Sequence, residues 1–412
     1  MTRAARVLFV TWAAPGHLFP MVPLAWALQA AGHDVAVAGL PSCQEAITGA
    51  GLHAVQVGAA AALARLPKRP ELAAWGRPAR WPEGWSADLD LLDADRRRVV
   101  RALYEKQCEV GDLMLDDLVA YGRWWRPDLV VHDALAMAGP VLAAVLGVPA
   151  VGHGWEVGAT LHEPTADRND EPLPAYLRLF ERRGVAPAAP LAWIDPCPPA
   201  LRPPDHPEVR RLPMECVPYN GPGHHPEWLA APRERPRVCL TAGVAGARYR
   251  DPDGPDVVSL TLEALAATDA EIVLAAGGPA DSLPEFPDRP DRVRVVRGVP
   301  FRMLLPTCDL MVHHGGAGTV LTSAVLGVPQ IVAPPSPICA EIGYAVERAG
   351  VGVMLDRLDD PDLLAKTVGD VLRDPGPQQA AASRLRDETR ALPSAHAVAD
   401  HLVSRFTRLG GR

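Results

Sequence analysis

The stretch Asp128–Val151, DLVVHDALAMAGPVLAAVLGVPAV, returns as Asp309–Val332, DLMVHHGGAGTVLTSAVLGVPQIV, with one extra residue in the helix of the first copy. Each copy reads as strand, loop, helix and strand: an apolar run, a break, a helical stretch, then L-G-V-P before a second apolar run. Strands buried on both faces must be continuously rich in Val, Ile and Leu, which puts these runs in parallel sheets covered by helices. A buried βαβ unit can drift towards such a pattern on its own, so the repeat speaks more firmly for the architecture of each half than for duplication. Both halves are expected to be α/β, doubly wound parallel sheets, whose ligands bind beyond the carboxyl ends of the strands.

The rest of the chain fits this frame. An opening strand RVLFVTW (Arg6–Trp12), a loop AAPGHLFP, a helical stretch MVPLAWALQAAG and a second strand DVAVAG start the first half. RVCLTAG (Arg237–Gly243), the helical VVSLTLEALAAT and EIVLAAG start the second. Between them YNGPGHHPEWLAAPRERP has the composition of a linker. At 412 residues the chain exceeds the size of a single core. The expected division is a first domain over 1–218, a linker over 219–236 and a second domain over 237–392, with a helix in 393–412 returning to the first domain.

Composition excludes several classes. The net charge of -8 has no basic blocks, which argues against nucleic acid and against stable membrane association. No apolar run of ~18 residues reads as a membrane span, and MTRAARVLFV lacks the apolar region of a signal peptide. A cytoplasmic location is expected. The seven cysteines, Cys43, Cys108, Cys197, Cys216, Cys239, Cys308 and Cys339, contain no C-x-x-C pair and suggest buried free thiols rather than disulfides or a zinc site.

Chemistry is expected at two strand ends. In the second copy, His313–Thr319 lies where a strand turns into a helix, and its glycines would let an anion reach the unpaired N–H groups of the helix N-terminus. A phosphate fits, although a tight turn that merely needs left-handed backbone reads equally well. There is no G-K-[ST], so the loop is not a P-loop, and Leu321 stands where a dinucleotide fingerprint needs glycine. In the first half, His17 sits in PGHLFP after the first strand and Asp133 ends the strand VVHDA. A histidine of ordinary pKa can deprotonate a hydroxyl near neutral pH, and a carboxylate on its far nitrogen would fix its tautomer. Loop capping by His17 and helix capping by Asp133 remain open alternatives. His132 and His313 are expected to point the other way on their strands.

CDLMVHHGGAGTVLTSAVLGVPQIVAP together with APGHLFPMVPLAWALQAAGHDVAVAG resembles the GT-B nucleotide-sugar glycosyltransferases, specifically the bacterial branch that attaches deoxysugars to polyketide or similar aglycones. The resemblance spans nearly the whole chain, VPYNGPG and GVPFRMLLPTCDL included. It implies two Rossmann-like domains facing across a cleft, the first for the acceptor and the second for a nucleotide sugar. It makes His17 the base and Asp133 its partner in an inverting, metal-independent displacement. His314, Gly316, Gly318, Thr319 and Gly243 would face the pyrophosphate, and Val299 and Pro300 the base. No cofactor is implied beyond the co-substrate, expected to be a dTDP-deoxysugar. The implied partners are that nucleotide sugar and a small-molecule aglycone, with a homodimer left open.

The sequence also departs from the pattern. Where relatives often carry an acidic residue followed by Gln or Thr against the donor sugar, this chain has Ile338 and Cys339; a three-residue slip brings Glu341 there instead. An apolar wall accepts a sugar that lacks a hydroxyl without leaving a buried group unpaired. Val244 and Gly298 also stand where relatives often have a hydroxyl residue and an aromatic one. Nine of the ten tryptophans precede residue 200. Of these, Trp75, Trp81, Trp85 and Trp155 lie in segments that break the βα rhythm, as acceptor-pocket walls or as packing for those segments. The competing readings are a UDP-sugar-using or lipid-linked transferase or an epimerase on the same fold, attack by an aromatic carbon, and a non-catalytic activator of a partner transferase.

Overall fold

The computed structural model describes residues 4–75, 81–86, 88–155, 173–202, 210–241, 257–266, 268–276, 292–355 and 360–406. Seven parallel strands form the first sheet: β1 (Arg6–Val10), β2 (Asp34–Gly39), β3 (His53–Gln56), β4 (Leu129–Asp133), β5 (Ala150–His153), β6 (Trp193–Asp195) and β7 (Arg211–Pro213). Their order is β3-β2-β1-β4-β5-β6-β7. Six further parallel strands form the second: β8 (Arg237–Thr241), β9 (Glu271–Ala275), β10 (Val293–Val296), β11 (Leu310–His313), β12 (Gln330–Val332) and β13 (Gly352–Met354), in the order β10-β9-β8-β11-β12-β13. In both sheets the order reverses beside the first strand, the switch point at which such sheets bind ligands.

The two copies of the repeat occupy equivalent places. β4 lies beside β1 and β11 beside β8. Asp128 accepts the backbone N–H of Arg6 at 2.8 Å, and Asp309 accepts that of Arg237 at 2.8 Å. The glycine of each L-G-V-P motif ends its helix in the left-handed conformation that a side chain would resist, with φ of 66° at Gly147 and 70° at Gly327. The shared residues therefore hold the same corner in both domains: the strand entry, the helix stop and the next strand.

Each sheet is covered on both faces. Leu8, Val10 and Val130 meet the long Ala94–Trp125 helix and the Ala138–Leu146 and Pro174–Glu181 helices on one side of the first sheet. Val7, Phe9 and Val131 meet the Val22–Ala30 helix on the other. The last described helix, Ala395–Phe406, also joins that side, burying Ala395, Val398, Ala399, Leu402 and Phe406. Burying Leu402 and Phe406 alone stabilises this crossing by about 1.5–3 kcal/mol each. The chain thus passes between the domains twice. At the first passage Tyr219 stands edge-on to Phe19 and Trp26, each at 5.1 Å, while the next residue, Asn220, donates to Thr322 Oγ1 at 3.1 Å and accepts from the Arg302 N–H.

Candidate active site

The segment expected to be a loop after β1 contains one helical turn, Pro15–Leu18. Proline suits this first helical position because its missing N–H would have no intrahelical partner there. The turn aims His17 back at the end of β4. His17 Nδ1 lies 3.2 Å from Asp133 Oδ1 and 3.1 Å from Oδ2. Asp133 is fully buried, and its Oδ1 also accepts the Leu135 N–H at 2.8 Å. Its capping role is a turn on Leu135, since the following helix starts only at Ala138. Helix capping by Asp133 is thus not realised, the cap being Met137 without a side-chain bond, and one carboxylate holds both the turn and His17. It fixes the Nδ1–H tautomer of His17 and leaves the lone pair on Nε2. Trp12 and Trp155 flank the imidazole, with ring centroids at 4.8 and 4.3 Å.

Two neighbouring histidines do not compete for this role. His153 pairs in register with Asp133 on β5, so their side chains share a sheet face. His153 Nδ1 bonds the Gly154 carbonyl at 2.6 Å, and His132 Nδ1 bonds the Asp133 carbonyl at 3.1 Å. Burial pushes both down to about 4, against the pull of Asp133. Both stay neutral near pH 7, with Nε2 buried and unpartnered among the described residues. His313 is likewise structural: it bonds Gln330 Oε1 through Nε2 at 2.9 Å and accepts the Gly315 N–H at Nδ1, at 3.0 Å.

The glycines after β11 have three separate causes. Gly315 has φ +85°, and a Cβ there would stand 2.8 Å from the Cys339 carbonyl oxygen. At Gly316 a Cβ would stand 2.5 Å from His314 Nε2, so this glycine makes room for the imidazole. Of the three, only Gly318 has nothing within 4 Å of an added Cβ among the described residues. The single explanation by ligand approach therefore narrows to Gly318. Gly316 caps the Ala317–Leu326 helix without a side-chain bond, and Thr319 is buried in its first turn. His314 keeps part of its surface open while its Nδ1 is sealed without a partner among the described residues, and burial pushes it down to about 4.

The remaining expected residues spread over both sides of the domain junction. Val299 is half-buried and Pro300 opens the Phe301–Leu304 turn. The linker lies directly over them, since a Cβ on Gly223 would stand 2.3 Å from the Gly298 oxygen and 2.5 Å from Pro300 Cδ. Ile338 packs against the core of the first domain, and the Cys339 carbonyl abuts Gly315. Glu341 also turns to the first domain, where its carboxylate takes the Gly84 N–H and the Ser86 hydroxyl. Trp75, Trp81 and Trp85 stack edge-on at 4.9–5.9 Å, with Trp81 and Trp85 sunk in the core. Of the four tryptophans singled out in the sequence, Trp155 alone touches His17, and it lies against an apolar cluster that includes Ala317 and Leu321 of the second domain. Gly243 and Val244 lie outside the described residues. Trp12 was not anticipated, although an aromatic two residues beyond β1 was a usable signal. No group of three or more His, Cys, Asp or Glu suited to a metal occurs among the described residues, and no helix there is long and apolar enough to cross a membrane.

Solved structures share this fold over nearly the whole chain. A spinosyn rhamnosyltransferase complexed with thymidine diphosphate superimposes with a TM-score of 0.78 at 29% identity, covering 96% of this chain and 99% of that one. The protein is a glycosyltransferase of the GT-B fold. The chain belongs to the erythromycin biosynthesis protein CIII-like family, whose N-terminal domain profile matches residues 26–243 and whose C-terminal domain profile matches 259–404. An L-demethylnoviosyl transferase of Streptomyces niveus is 37% identical over 402 residues, spanning 97% of this chain and 98% of the relative. A 3-alpha-mycarosylerythronolide B desosaminyl transferase of Saccharopolyspora erythraea is 34% identical, spanning 94% and 95%. Such relatives transfer deoxysugars to natural-product aglycones.

Proposed function

We propose that the protein moves a deoxysugar from a dTDP-sugar to a hydroxyl of a polyketide-like or other natural-product aglycone, with inversion and without a resident metal. The observation that carries this reading is the His17–Asp133 pair, with Trp155 between His17 and the domain that carries the His314 loop. His17 Nε2 takes the proton of the acceptor hydroxyl as its oxygen bonds to the anomeric carbon. The bond from that carbon to the diphosphate breaks, and its electron pair leaves with the nucleotide. Asp133 stabilises the imidazolium that forms. The N–H groups at the helix N-terminus, Gly316–Gly318, and a neutral His314 receive the departing charge, and the backbone at Val299 and Pro300 faces the base. Ile338 and Cys339 offer an apolar wall that suits a sugar lacking a hydroxyl. Trp12 and Trp155 flank the aglycone.

Calorimetric titration with dTDP, UDP and GDP, without metal, tests the donor half. Preference for dTDP, lost in His314→Ala and kept in His17→Ala, is expected. Preference for UDP would replace the donor, and failure of all three to bind would favour a non-catalytic partner of another transferase.

A further inference from the structure

The loop Trp81–Ser86 has two faces. Trp81 and Trp85 are buried in the core of the first domain, 4% and 1% exposed. The polar face meets the Pro337–Arg348 helix of the second domain. Both oxygens of Glu341 accept the Gly84 N–H at 3.1 Å, and Ser86 Oγ donates to Oε1 at 3.2 Å. Arg348, two turns along the same helix, reaches Glu83 at 2.5 Å. Ile338, at the start of this helix, packs into the same core as the two tryptophans. Gly84 has φ +80°, a left-handed conformation suited to glycine.

Burying a carboxylate is costly unless hydrogen bonds compensate. Glu341 is 6% exposed, and burial raises its pKa against the lowering effect of Gly84 and Ser86. The contact is therefore specific: an apolar side chain would avoid the desolvation, and a residue reserved for a sugar would not be spent on a main-chain amide. We infer that Glu341 is a positioning residue, through which the donor domain holds the tryptophan-bearing loop of the acceptor domain in register across the junction. This rests on the proposed division of labour between the domains. It gives Glu341 a role different from the sugar contact that a three-residue slip suggests. Donor and acceptor sites then share one helix, with Cys339 against the Gly315 turn and Glu341 on the Gly84 loop.

The test compares Glu341→Ala, Glu341→Gln and Ser86→Ala in the full chain. Hydrogen exchange of the peptide over residues 81–86 reads the clasp without any substrate. Glu341→Ala is expected to speed exchange there roughly tenfold, the scale of a lost charge-assisted hydrogen bond, with Glu341→Gln and Ser86→Ala showing smaller effects. Calorimetric dTDP affinity should stay within about twofold of the parent while the acceptor KM rises roughly tenfold. Unchanged exchange at 81–86, or a loss confined to the donor-sugar KM, would overturn the assignment. If the parent binds no nucleotide, the proposed function fails while the exchange result still decides the clasp.

Discussion

Asp133 meets His17 through both carboxylate oxygens, at 3.2 and 3.1 Å, and holds the Leu135 amide at 2.8 Å with one of them. Replacing the acid by Asn therefore leaves an oxygen for the amide but puts an N–H or a single acceptor against the ring. Asp133→Asn is expected to fold and to bind the nucleotide, yet to lose roughly 10²–10⁴-fold in kcat, as His17→Ala should. The double variant should be little worse than either single one, because the two act as a unit. Steady-state transfer assays settle this, and additive losses would separate the residues.

The glycine loop yields a graded series. Gly316→Ala pushes a Cβ into His314 Nε2, 2.5 Å away, and should weaken dTDP binding about as much as His314→Ala does. Gly318→Ala meets nothing among the described residues, so its melting temperature should not move. Any loss of nucleotide affinity at Gly318 then reports a ligand against that Cα. Gly315→Ala combines φ +85° with a clash on the Cys339 oxygen and should cost about 1–3 kcal/mol of stability. Calorimetry and thermal melts on the three variants check the order, and equal effects at all three positions would contradict it.

Much of this was legible because buried parallel strands carry a strong local signal: D-L-V-V and D-L-M-V become β4 and β11, and L-G-V-P marks the same helix stop twice. The pairing of His17 with Asp133 joins residues far apart in the chain, and the family resemblance rather than spacing pointed to it. Glu341 shows the limit. A one-dimensional count could bring it to the donor sugar, but not reveal that its oxygens close on an amide more than 250 residues earlier in the chain. The glycines of the donor loop failed in another way. Their number was visible, but which neighbour excludes each Cβ depends on the rotamer of His314 and the path of Cys339.

Trp155 stands edge-on to His17 at 4.3 Å, with its indole Nε1 buried and unpartnered among the described residues. An aglycone oxygen reaching that N–H would gain a hydrogen bond that the protein alone does not supply. Trp155→Phe keeps the apolar wall and removes the donor. The acceptor KM is expected to rise several-fold with kcat nearly unchanged. Trp155→Ala removes the wall as well and should lower kcat too. A Phe variant indistinguishable from the parent would mean that the indole N–H does not meet the acceptor.

Acid should weaken the fold through its buried histidines. Burial pushes His132, His153 and His314 down to about 4 and His313 to about 3, from an ordinary value near 6.5. Between those values the unfolded chain binds protons that the folded chain refuses. Stability is then fully present above about pH 6.5 and is lost as the pH falls towards 4, by up to about 1.4 kcal/mol per unit for each group. Glu341, whose pKa is raised, runs the other way from about 4.5 upward but is a single group. Urea midpoints should therefore climb steeply from pH 4.5 to 6.5 and flatten above it. His132→Leu, which removes one of the four, should make the climb shallower in that window and leave the neutral-pH slope unchanged. A flat profile from pH 4.5 to 7.5 would show that these imidazoles are protonated or hydrated in the folded protein, and the neutral His314 assigned to the donor loop would fall with it.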